Sequence, residues 1–270
     1  MKNFIKYFEK YFEALKNLYI DEIKTCHDYK IVRSDFIDDK DNNFVFDLKF
    51  SNIASFEMLY KVAAKELKDR EPRFYILKSE KNAKFLDYFK SKYNICCEDS
   101  WFFTNVEKLK LNHKAKIDID IELSQNKQEI IDTILEGFSN DDLDGQNNEI
   151  FPAYRECLNN KLSVPVGGTP YKTYHYVAKH NGKVIAISTI TTDCKDAFLD
   201  NVTTLKEYRR LGVAKEVLTF IINQLKLKNV KNIIFTTIAG AYTEEIYKSL
   251  GFQVVDYGVC FEEAKFKSSC

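Results

Sequence analysis

No glycine occurs before Gly137, and all nine in the chain lie from there onward. Glycine supplies positive φ and lets a backbone come close to a ligand. A segment without it is poorly equipped to build a phosphate-cradling loop. Chemistry on a phosphate-bearing ligand is therefore assigned to the C-terminal half. The chain is otherwise rich in core formers: 45% of its 270 residues are hydrophobic, with 21 Phe and 16 Tyr. That excludes general disorder. At about 150 residues per domain, the length fits one large domain or two small ones.

Forty basic and forty acidic residues cancel. Without a basic excess or stripe, nucleic acid is not an expected partner. No apolar run reaches the ~18 residues of a membrane span. Near the start, Lys2, Lys6, Glu9, Lys10, Glu13 and Lys16 interrupt the aromatic run, so it does not read as a signal peptide. Phe4, Phe8, Phe12, Leu15 and Leu18 recur at three and four, one face of an amphipathic helix. A membrane-surface helix is the weaker reading, since charges of both signs dilute any lipid preference. The seven cysteines are Cys26, Cys96, Cys97, Cys157, Cys194, Cys260 and Cys270. Their number is odd, no Cys-x-x-Cys pair occurs, and no His stands at ligand spacing. Reduced thiols in a cytoplasmic protein, without a metal site, are expected.

Hydrophobic periodicity predicts an α/β chain with mixed strand pairing. In the first half it predicts helices over 3–20, 54–69 and 81–92. Strands are predicted over 28–36, 44–50, 73–77 and 95–106. Ser51–Asn52 caps the second helix and Pro72 follows it. In the second half, strands are predicted over 116–123, 173–180, 183–191, 197–204, 232–237 and 252–262. Helices are predicted over 126–138, 152–162, 212–226 and 242–250. Asn181–Gly182 is the strongest hairpin signal.

One stretch carries the chemistry. After the strand 197–204 comes Arg209-Arg210-Leu211-Gly212-Val213-Ala214, and then a helix. The free N–H groups of a helix start and the positive end of its dipole bind phosphate. Gly212 and Ala214 leave room for close approach, and Arg209, Arg210 and Lys215 add charge. The glycines are too few for a Walker loop or a Gly-x-Gly-x-x-Gly loop.

Arg209-x-x-Gly212-x-Ala214 after a strand, with Tyr247 leading into Gly251-Phe252, resembles the GNAT acetyltransferase superfamily over about 116–262. The resemblance implies a GNAT fold, an α/β (α+β) mixed sheet, and acetyl-CoA as cosubstrate. Main-chain groups of Val202, Thr203 and Thr204 would hold the pantetheine. Arg209, Arg210, Leu211, Gly212, Val213, Ala214 and Lys215 would hold the pyrophosphate. Tyr247 would serve as general acid toward the thioester sulfur. Asp200 is the first candidate for the base, with Glu149, Asp193, Asp196 and His175 left open. The acceptor would be a small-molecule or peptide amine, and a homodimer is compatible. Three departures stand out. Gly240 replaces an Asn common in relatives, Lys206 replaces a turn proline, and the chain beyond Phe252 leaves room for one strand where relatives have two.

The element order of the first half mimics that of the second, without the Arg-x-x-Gly-x-Gly/Ala motif. A tandem GNAT-like chain follows, as in glycine acyltransferase-like proteins. A degenerate first repeat would span 1–115 and a catalytic domain 116–270. The first half is expected to complete or cover the edge left by the missing strand. An acidic loop at 139–149 (Asp141, Asp142, Asp144, Glu149) and a Gly-Pro loop at 163–170 would border the acceptor. Tyr171, Tyr174 and Tyr176 would line the cleft. The competing functions are a non-catalytic acyl-CoA-binding or protein-interaction module and, less favoured, an aminoacyl-tRNA-dependent transferase.

Overall fold

The computed structural model describes residues 4–67, 73–139, 150–163 and 169–263. The first half comprises α1 (Ile5–Leu15), β1 (Glu22–Thr25), β2 (Lys30–Arg33), β3 (Phe44–Phe46), α2 (Ile53–Glu66), β4 (Arg73–Leu77), α3 (Leu86–Lys92) and β5 (Tyr93–Asn105). The second half opens with β6 (Asp120–Ser124), α4 (Lys127–Ser139) and α5 (Phe151–Lys161). It continues with β7 (Lys172–His180), β8 (Lys183–Thr192), β9 (Asp196–Thr204) and α6 (Val213–Leu227). It closes with β10 (Asn232–Ile238), α7 (Tyr242–Ser249) and β11 (Val254–Glu263).

Local chemistry explains where elements start and stop. The strand predicted over 28–36 is the second arm of a hairpin whose first arm, β1, is too short to show periodicity. β3 ends early because Asp47 turns to φ 49°. β6 starts at Asp120 because the chain before it is tied elsewhere: Lys116 N donates to Leu211 O and Ala115 N to the Glu216 carboxylate. Asn181 and Gly182 both have positive φ, as a two-residue type I′ hairpin requires.

The eleven strands of the described residues form one sheet, in the order β1-β2-β3-β4-β11-β5-β10-β9-β8-β7-β6. Neighbours are antiparallel except β3 with β4 and β9 with β10. Side chains alternate between two faces, as strand geometry demands. On one face α1, α4 and α5 bury Phe8, Phe12, Ile131 and Leu158 against Trp101, Phe198 and Ile234. On the other, α6 and α7 cover Phe102, Leu199 and Phe235, and α2 and α3 cover Phe74, Ile76 and Phe261.

The two halves exchange strands. β5 lies between β10 and β11, and β11 lies between β4 and β5. Each half fills the gap in the other, so the expected vacant edge is occupied by β5. The arrangement has an internal two-fold. Gly258 and Asp99 are direct partners at its centre, and they pair outward with Leu77 and Ile238 respectively. Register shifts fall symmetrically, leaving Cys96 on β5 and Val255 on β11 as the extra residues. Cross-strand stacked rings also match: Phe102 on Phe235 at 4.7 Å, Phe74 on Phe261 at 5.1 Å. At the centre, Tyr75 donates to Asp99 and accepts from Trp101 Nε1, both at 2.8 Å. A Cβ on Gly258 would sit about 2 Å from the Tyr75 hydroxyl and ring, so only glycine admits this contact.

The six described cysteines are free thiols. No helix among the described residues is long and apolar enough to cross a membrane.

Candidate active site

β9 and β10 run parallel but pair only along Asp196–Phe198 and Asn232–Ile234. Beyond that point β9 continues to Thr204 and β10 to Ile238 with no ladder between them, and a wedge opens in the sheet. β9 itself is bulged: Ile187 opposes Thr203 while Thr189 opposes Asp200, and Asn201 takes φ 50°. Val202, Thr203 and Thr204 thus lie on the free stretch of β9, beside the wedge. The Thr204 Oγ1 is buried without a hydrogen-bond partner among the described residues.

The segment after β9 enters α6 through Gly212, the N-cap, at φ 85° and with no side-chain cap. The first-turn amides of Val213, Ala214 and Lys215 have no intrahelical acceptor, and this cap provides none. The corresponding helix of the first half differs. α2 follows β3 as α6 follows β9, but Asn52 accepts from Ser55 N while Ser55 Oγ accepts from Asn52 N, a closed capping box. One helix start is left open to an anion; the other satisfies itself.

The charged residues of the motif have defined places. Arg209 donates from Nε to Thr204 O (3.0 Å) and from Nη2 to Gly137 O (2.8 Å). Its guanidinium fastens β9 to α4. Lys215 Nζ reaches Ser249 Oγ on α7 at 3.2 Å. Arg210 adopts φ 63°. Gly212 also faces the chain connecting the halves, where a Cβ would lie 3.4 Å from Lys114 O. That segment is anchored by the buried Glu216, whose carboxylate takes Ala115 N and Lys114 Nζ, each at 2.6 Å.

Tyr247 on α7 is 8% exposed. Its ring packs on Phe235 (4.5 Å), Phe102 (5.7 Å) and Phe252 (6.0 Å). Burial, reinforced by the nearby Asp200 charge, holds its phenol above the ordinary range. Asp200 approaches from the α1 face of the sheet. Burial pushes its carboxyl up to about 6, against hydrogen bonds from Asn201 N and the Tyr11 hydroxyl that pull it down. The two residues therefore flank the wedge from opposite faces.

Among the other acidic and basic candidates, Asp193 and Asp196 are ion-paired with Lys10 of α1 at 3.3 and 2.7 Å. His175 is buried against Thr189, and burial lowers its pKa to about 4. Glu149, and the acidic and Gly-Pro loops around Asp141–Asp144 and Gly167–Gly168, lie outside the described residues. Of the three tyrosines expected to line the cleft, Tyr171 packs on Phe198 on the α1 face. Tyr174 and Tyr176 face α6 instead, with Tyr176 against Phe220.

Sequence reasoning missed Tyr11 and Tyr19. Tyr11 donates to Asp200 at 3.1 Å, and Tyr19 donates to Asn201 Oδ1 at 2.5 Å. The available signal was a tyrosine beside the Phe stripe of α1, since a buried phenol needs a polar partner.

Residues 172–254 match the family model of the acetyltransferase (GNAT) domain. The chain carries a GNAT domain. Solved structures extend the likeness to the whole architecture. A conserved protein of unknown function from Staphylococcus epidermidis is 15% identical, with TM-score 0.65, 93% of this chain and 98% of that one covered. A GCN5-related N-acetyltransferase from Kribbella flavida is 14% identical, with TM-score 0.59 and coverage of 93% and 91%. A tandem GNAT protein from the clavulanic acid biosynthesis pathway is 11% identical, with TM-score 0.56 and coverage of 86% and 77%. No curated protein matches. At these identities the structural likeness concerns the fold, which is a tandem GNAT fold whose first repeat lacks the motif loop. In the GNAT domain, the wedge between β9 and β10, the open start of α6 and the orphaned Thr204 hydroxyl suit an extended ligand that carries a phosphate.

Proposed function

We propose that the chain is an N-acetyltransferase that moves the acetyl group of acetyl-CoA to a primary amine by direct attack on the thioester. The observation that carries this reading is the placement of Asp200 and Tyr247 on opposite faces of one wedge, beside an uncapped helix start. The residues that would hold the cosubstrate all belong to 116–270, which we take as the catalytic domain. The first-turn amides of α6, with Arg210 and Lys215 nearby, would hold the pyrophosphate. The free edge of β9 at Val202–Thr204 would run alongside the pantetheine. Arg209 would act by securing that edge, since its guanidinium is bound to main-chain carbonyls.

Asp200 is preferred as base because Asp193 and Asp196 are neutralised by Lys10 and His175 is buried on Thr189. A carboxyl titrating at about 6 is ionised at pH 7 yet far more basic than an ordinary aspartate. It takes a proton from the acceptor ammonium, directly or through one water. The amine lone pair then adds to the thioester carbonyl. When the tetrahedral adduct collapses, the C–S bond breaks and the Tyr247 hydroxyl gives its proton to the departing sulfur. A phenol held above its ordinary pKa stays protonated for that step. The amide product loses its remaining extra proton to solvent, and the Asp200 proton returns to Tyr247 through solvent.

Isothermal titration with acetyl-CoA and CoA, followed by thiol release over a panel of primary amines, tests the reading. Binding with turnover supports it. Binding without turnover on any amine assigns the chain to a non-catalytic acyl-CoA module, and no binding removes both.

A further inference from the structure

α1 belongs to the first half by sequence, and its Glu9 pairs there with Lys30 of β2, yet Lys10 and Tyr11, with Asn17 and Tyr19 just beyond the helix, reach into the second half. Lys10 pairs with Asp193 and Asp196. Tyr11 donates to Asp200, Tyr19 to Asn201, and Asn17 Nδ2 to Tyr171 O and Thr173 Oγ1. Tyr11 and Tyr19 are each 6% exposed. The pair grips the bulge of β9 where Asp200 and Asn201 are adjacent. From the sheet side, Asn201 Nδ2 reaches Thr189 Oγ1 at 3.4 Å, and His175 Nδ1 shares the same hydroxyl. A bulge re-aims a side chain, and here the re-aimed carboxylate is held by a phenol from the other repeat.

We propose that Tyr11 is a positioning residue for Asp200, so that the motif-less first repeat sets the orientation and basicity of the catalytic carboxylate in the second. The inference rests on the reading of Asp200 as the base. The groups facing Asp200 are Tyr11 from α1, Tyr19 from the turn after it, and Tyr247 from α7. Asp41 acts on Tyr11 from the β2–β3 loop, and His175 on β7 connects through Thr189 and Asn201. A phenol donating to a carboxylate favours its charged form. Removing the hydroxyl therefore raises the carboxyl pKa further.

The test uses the full chain labelled with 13C at the aspartate carboxyls, the Asp200 resonance being assigned by its loss in Asp200→Asn. Tyr11→Phe keeps the ring that packs on Trp101 and Phe12, and near-UV circular dichroism checks that the fold is retained. In Tyr11→Phe the ionisation constant of Asp200 should fall on the order of tenfold. Tyr19→Phe, which loses a bond to Asn201 instead, should move it less. An Asp200 titration unchanged in Tyr11→Phe overturns the proposal, whatever happens to the rate. The acid limb of acetyl-CoA-dependent thiol release should move up by the same amount. If the carboxyl shifts and the limb does not follow, Tyr11 still tunes Asp200, but Asp200 is not the base.

Discussion

A carboxyl at about 6 gives the activity a definite acid limb. Below that pH Asp200 is protonated and accepts nothing, so kcat/KM with acetyl-CoA should fall tenfold per pH unit, and Asp200→Asn should remove this dependence along with most of the rate. Tyr247→Phe should lower turnover by about a hundredfold while acetyl-CoA binding is little changed, because the hydroxyl acts on charge that develops only in the transition state. Calorimetry alongside steady-state kinetics separates the two effects. His175 gives a different pH signature. Its folded pKa is depressed to about 4, so as pH falls below about 6.5 the unfolded chain takes up a proton that the folded chain refuses. Stability is lost across that window. The drop in Tm between pH 7 and pH 5 should shrink in His175→Gln, and an undiminished drop would place the acid sensitivity elsewhere.

At the scale of elements, the two topologically matched helices make a controlled comparison. Asn52→Ala should destabilise the fold by about 1 kcal/mol through loss of the α2 cap, with no change in acetyl-CoA affinity. Gly212→Glu should cut that affinity on the order of tenfold or more, by placing a negative side chain beside the open start of α6. Gly212 sits at φ 85°, so a urea titration must accompany the binding measurement to separate strain from repulsion. Most elements were readable from their apolar content: β4 and β8 are runs buried on both faces, while α6 shows one apolar face at helical spacing. β1 was invisible because four residues show no period. The early stop of β3 was invisible because a non-glycine residue, Asp47, adopts positive φ. The helix start at Gly212 was readable, since Gly and Ala there have a steric meaning. The anchoring of Arg209 to Thr204 and Gly137 was not, because a sequence does not reveal which carbonyls a guanidinium will meet.

For the whole molecule, a missing last strand could be inferred from the sequence, and so could some contribution from the first half. The reciprocal exchange could not, because strand order in a sheet depends on partners far apart in the chain. In hindsight, Phe102 with Phe235 and Phe74 with Phe261 are matching cross-strand pairs. The interlocking makes the halves a single cooperative unit. A 116–270 fragment lacks β5 and should be insoluble or aggregated, with β10 and β11 offering unpaired edges; a soluble, monomeric and active fragment would count against the exchange. Gly258→Ala should press on Tyr75 at the two-fold and lower stability by roughly 1–3 kcal/mol. Urea unfolding followed in both halves should show the midpoints moving together.

The exchange also bears on how the protein is made. The slot between β4 and β5 stays open until Val254–Glu263 has left the ribosome, although every other strand of that half is synthesised long before. The first repeat cannot fold behind the advancing chain as an independent bead would. Its sheet edge waits, exposed, through synthesis of the entire second repeat, and closes only when β11 is inserted. Native structure of the first repeat should therefore appear slowly, after translation has passed β11. A nascent chain stalled before β11 is a ready client for chaperones.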